Sequence, residues 1–113
     1  MAWLVRDGEV LASLEIADTW RHRARGLLGR DGIDGAIYLA PCRSVHTLGM
    51  RFPIDVAFVD GDADGEMVVR RALRLPPWRL TRPCWSANGV IEAEAGSFAS
   101  WSLTVGDVLE VRE

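Results

Sequence analysis

Lysine is missing from this 113-residue chain: all thirteen basic residues are arginine, so every cation is planar, forked and permanently charged. Cysteine is scarce, with two residues, and no charged-then-apolar leader opens the sequence. Free thiols in a reducing compartment, and hence a cytoplasmic location, are the expectation. No apolar run approaches the ~20 residues of a membrane helix, so no membrane is expected as a partner. Linkers, internal repeats and low-complexity tracts are also absent, which leaves one domain over residues 1–113, long enough to bury roughly two thirds of its unfolded surface. Sixteen acids against thirteen arginines give a net charge of −3, which argues against a surface devoted to nucleic acid. Acids are also missing locally, since the stretch from Arg70 to Arg82 contains none.

What is present reads mostly as strand. Trp3–Arg6 and Val10–Ile16 flank Asp7-Gly8, a dipeptide suited to the positive φ angles of a tight hairpin. Residues 36–40 are apolar on both faces, and Pro53 opens a strand at 54–59 in which Asp55 is the one ionisable residue. Residues 67–75 alternate, with Met67, Val69, Leu73 and Leu75 expected on one inward face alongside Arg71. Further strands are expected at 90–95 and 108–111. Only one long amphipathic pattern interrupts them: Trp20, Ala24, Leu27 and Leu28 predict a helix near 18–29, capped by Asp18 or Thr19 and ended by Gly29. A short helical turn is expected near 97–102 from Phe98 and Trp101. The fold class is therefore mainly β (α+β), a curved, mostly antiparallel sheet or partly closed barrel with one helix packed on it.

Several constellations carry chemistry. Asp60-Gly61-Asp62-Ala63-Asp64-Gly65 matches the first half of a calcium-binding EF-hand loop, but Arg71 occupies the position of the bidentate glutamate, and a polar hairpin turn is the better reading. Cys42 and His46 lie ~13 Å apart in extended chain, too far for a thiol–imidazole pair, and too few partners remain for zinc. They read as a small buried cysteine and a hydrogen-bonded core histidine, and no metal or other cofactor is expected. Trp78, following Pro76-Pro77, reads as a core plug, although Arg70, Arg74, Arg79 and Arg82 with Trp78 and Trp85 resemble a cationic strip with stacking rings. The better candidate site gathers Arg25, Arg30, His46, Arg51 and Asp55, donors for an anion with one carboxylate to orient them.

Arg25-Gly26-Leu27-Leu28-Gly29-Arg30, Pro41-Cys42, His46-Thr47, Met50-Arg51-Phe52-Pro53-Ile54-Asp55, Pro77-Trp78, Val90-Ile91-Glu92 with Gly96, and Gly106-Asp107 resemble, in order, the domain-of-unknown-function 192 family of bacterial and archaeal proteins. The likeness spans nearly the whole chain. It implies a small, mainly β domain with a helix on a curved sheet, and it places the family's polar motif residues at Arg25, His46, Thr47 and Asp55.

Composition and motif together point to a binding module for a small anionic or polyhydroxy ligand, held by Arg25, Arg30, His46, Thr47, Arg51 and Asp55 in a cleft beside the helix. An alternative is a hydrolase-like enzyme with His46 as general base oriented by Asp55. A third reading is an interaction scaffold that docks a protein through its Arg/Trp surface, nucleic acid being the less expected partner.

Overall fold

The computed structural model describes residues 1–17 and 34–113, so the helix expected at 18–29, with Arg25 and Arg30, lies outside the described residues. Strands β1 (Ala2–Arg6) and β2 (Glu9–Ala17) form the expected hairpin. Asp7 and Gly8 both take positive φ, 52° and 79°, the turn whose twist matches that of the strands it joins. Five more strands follow, β3 (Ala36–Leu39), β4 (Ile54–Gly61), β5 (Glu66–Leu75), β6 (Gly89–Glu94) and β7 (Val108–Arg112), with a one-turn helix α1 (Ser97–Trp101) between the last two.

In the order β1-β2-β3-β6-β4-β5-β7 the sheet closes into a barrel, because β7 pairs with both β5 and β1. All neighbours are antiparallel except β2 and β3. A closed ring leaves no unpaired strand edge, which a 113-residue β domain would otherwise have to protect.

Period-two alternation sorts the apolar residues into two cores. The barrel lumen takes Leu4, Leu14, Tyr38, Val59, Met67 and Ile91, among others. The outer face of β3, β6 and β4 carries Ile37, Leu39, Val56, Phe58 and Val90, and a layer formed by residues 40–53 and 76–88 covers part of it with Val45, Met50, Cys84 and Ala87. Strands β3 and β4 are therefore buried on both sides, which is why they read as continuous apolar runs.

Strand β5 departs from the alternation expected of it. The pairing slips between Phe58 and Val59, which face Arg71 and Val69, so Arg70 is an extra residue. Met67 and Val69 enter the lumen, whereas Leu73 and Leu75 join the outer core on the other face. Arg71 stays with the latter pair, its guanidinium 5.2 Å from the centre of the Phe58 ring. The acidic stretch after β4 is a hairpin turn: Asp64 N–H donates to Asp62 Oδ1 and Gly65 N–H to the Asp62 carbonyl, both at 3.0 Å.

Candidate functional site

Asp55 sits at the start of β4 on the lumen-facing side, in register with Ala93 of β6 and Arg74 of β5. A carboxylate that is 4% exposed must be neutralised or hydrogen-bonded, and it is. After β6 the chain turns at Gly96, whose φ of 100° suits glycine, and enters α1 with no side chain able to cap it. Asp55 Oδ2 does so from the neighbouring strand, accepting the backbone N–H groups of Gly96 and Phe98, each at 3.0 Å. Arg74 Nε donates to Oδ1 at 3.4 Å.

Arg74, which the sequence grouped with the cationic strip, is instead the partner of Asp55. Its side chain is 59% exposed, and its Nη2 lies 4.0 Å from where a Cβ on Gly96 would stand, so the guanidinium passes over the helix start. Among the described residues its terminal nitrogens take no hydrogen bond. Arg74 lines a groove of about 530 Å³ between β5 and α1, together with Asp55, the apolar Ala72, Leu73, Phe98 and Leu103, and the hydroxyl residues Ser102 and Thr104. The signal for Arg74 was its place opposite Asp55 across the hairpin, hidden by the one-residue slip.

Thr47 is wholly buried and fully engaged. Its N–H donates to Arg79 O at 2.8 Å, its carbonyl accepts Met50 N–H at 3.0 Å and Trp78 N–H at 2.9 Å, and its hydroxyl accepts Arg79 N–H at 2.9 Å while donating to Pro76 O. It stitches the two halves of the covering layer together. Trp78 is held there at φ 61° and is 64% exposed, so it is a surface residue and no core plug. His46 likewise faces outward, bridged to Leu80, where a core histidine was the expectation; Arg51 is also exposed.

The described members of the expected cluster are thus distributed. Asp55 belongs to the lumen side of β4, whereas His46, Thr47 and Arg51 belong to the layer over its opposite face. Cys84 is buried and Cys42 partly buried, with Cys42 Sγ donating to Ser44 O at 3.1 Å. No three His, Cys, Asp or Glu side chains among the described residues converge as a metal ion would require.

Glu92, part of the Val90-Ile91-Glu92 motif, is a further buried ionisable group. It is 6% exposed on the outer face of β6, between Ile37 and Val56 on the adjacent strands, and makes no ion pair among the described residues. Burial pushes its carboxyl up to about 7. At the opposite extreme, the hydrogen bond from Thr104 N–H, helped by Arg6, holds the Asp107 carboxyl below its usual range.

The same fold occurs in solved structures. A protein of unknown function from Novosphingobium aromaticivorans superposes with a TM-score of 0.76 at 21% identity, covering 96% of this chain and 82% of the other. A putative transcription regulator from Sinorhizobium meliloti superposes at 0.74 and 20% identity, covering 97% and 91%. Closer in sequence are UPF0127 protein PF1050 of Pyrococcus furiosus, 33% identical over 107 residues (90% of this chain, 89% of the relative), and UPF0127 protein PYRAB11210 of Pyrococcus abyssi, 32% identical over 102 residues (86% and 84%). The family model DUF192, described as Uncharacterized ACR, COG1430, matches residues 2–111, and the chain accordingly belongs to that family.

Proposed function

We propose that this protein is a binding module for a small organic anion, seated in the groove between β5 and α1 with Arg74 as the anion contact. The observation that carries this reading is the division of labour at the Asp55–Arg74 pair. Asp55 spends its acceptors on two backbone N–H groups and on Arg74 Nε, while the terminal nitrogens of Arg74, a residue that lines the groove, make no hydrogen bond among the described residues. A planar fork held in this way matches a carboxylate or phosphate. The walls from Phe98, Leu103, Ala72 and Leu73 favour an apolar body behind the anionic head, and Ser102 and Thr104 offer hydroxyls to a polyhydroxy substituent.

No catalytic step is part of this reading. His46 and Asp55 sit on opposite sides of β4, beyond the hydrogen-bond reach that a base and its orienting acid require. A thermal-shift panel of carboxylates, phosphates and sugars, with and without an apolar body, tests the proposal. A ligand at about one hundred times its Kd should stabilise by about 2.7 kcal/mol, and Arg74→Gln should abolish the shift. Melting curves that stay put across the panel, or shifts that persist in Arg74→Gln, would refute it.

A further inference from the structure

The layer of residues 40–53 and 76–88 differs from the rest of the molecule in charge. It holds four arginines and no Asp or Glu, while the remainder holds nine arginines and sixteen acids, a net of −7. It differs in exposed apolar surface as well. The His46–Leu80 bridge sets an alternation in which Val45 and Thr81 face the core and His46 and Leu80 face solvent. Leu80 is 71% exposed, Trp78 64%, Leu48 47% and Trp85, further along the same segment, 78%. Scattered apolar residues on a surface need no account, but these four come from two paired segments and lie among arginines.

Trp78 adds a second, independent observation. A bulky side chain at φ 61° is disfavoured by roughly 1–2 kcal/mol, and the conformation persists because Thr47, wholly buried, bonds to Pro76, Trp78 and Arg79 together. The local backbone is thus organised to hold the indole in solvent, where a partner can reach it.

We infer that this strip is a docking surface for an acidic, apolar segment of another protein: Trp78, Leu80 and Leu48 take the partner's apolar side chains, and Arg79 and Arg82 its carboxylates. Trp and Arg are the residues that dominate protein interfaces. The two leucines favour a protein over a nucleic acid, since a base stacks on Trp78 but gains neither stacking nor hydrogen bonds from an aliphatic side chain. Charge selects an acidic segment and disfavours a basic one. This surface is independent of the groove at Arg74.

The probe is a fluorescein-labelled synthetic peptide alternating Glu or Asp with Leu or Phe, titrated with the full chain by anisotropy and mapped by amide shifts on isotope-labelled protein. Binding should weaken as salt is raised, with shifts concentrated at 44–48 and 76–85. The Trp78→Gly/Leu80→Ser and Arg79→Gln/Arg82→Gln pairs should each weaken it by about tenfold or more. Trp78→Gly suits the positive φ, so these variants should melt as the parent does. No binding, unchanged affinity in both pairs, equal binding of a polyglutamate peptide, shifts elsewhere, or tighter binding of an oligothymidylate strand would each overturn the inference.

Discussion

The barrel lumen and the layer outside it are held together by different physics. In the lumen, strands from every part of the chain present alternating apolar side chains, and continuous backbone ladders fix their register. The layer of residues 40–53 and 76–88 contains one isolated bridge and no strand, and rests on individual hydrogen bonds, above all those of Thr47 and the reciprocal pair of Val45 with Thr81. A ladder shares a defect among many neighbours, whereas a stitched loop concentrates it at one residue. Stability resides in the first region, and the second carries the exposed Trp78, Leu80 and Trp85.

Substitutions can test that division. Ile91→Ala empties a wholly buried lumen position and should destabilise the whole domain by about 4 kcal/mol in denaturant unfolding, with all probes moving together. Glu92→Gln should have nearly as large an effect, of opposite sign and dependent on pH. The folded carboxyl titrates near 7 and the unfolded one near 4.5, so the native state loses stability as pH rises from the lower value through the higher. Replacing it should gain about 2–3 kcal/mol at about pH 8 and almost nothing at about pH 4, as read from melting midpoints.

Thr47→Val should cost about 2 kcal/mol. Its signature is locality: hydrogen exchange at Trp78, Arg79 and Met50 should accelerate while lumen strands stay protected. A uniform loss of protection would show that layer and barrel unfold as one unit. Asp107→Ala should cost about 1 kcal/mol, since it removes an exposed turn bond to Thr104 and the ion pair with Arg6. The stabilisation from Asp107 should be present at neutral pH and fade as acid titrates its lowered carboxyl, a smaller and opposite trend to that of Glu92.

How much could be read in advance follows the same division. All seven strands were legible, because alternation and turn residues such as Asp7-Gly8 are local signals. The closure of the barrel was only half legible, since nothing in β7 announces that it pairs with β1. The slip at Phe58/Val59 was invisible, and it moved Arg71, Leu73 and Leu75 to the outer face while Met67 and Val69 stayed inward, in the lumen. Asp55 stood out as a carboxylate on an apolar strand, yet its role as a cap for α1 depends on a helix whose N-cap, Gly96, lies 41 positions later. Trp78 misled because a tryptophan after two prolines suggests burial, and only the bonds from Thr47 turn it outward.

Closure through β7 also bears on how the molecule is made. The ring has no gap only when residues 108–112 reach both β1 and β5, so until β7 has emerged from the ribosome the chain holds six strands with two open edges. During that interval the nascent protein is exposed to strand-to-strand association with its neighbours, a hazard that ends when β7 docks.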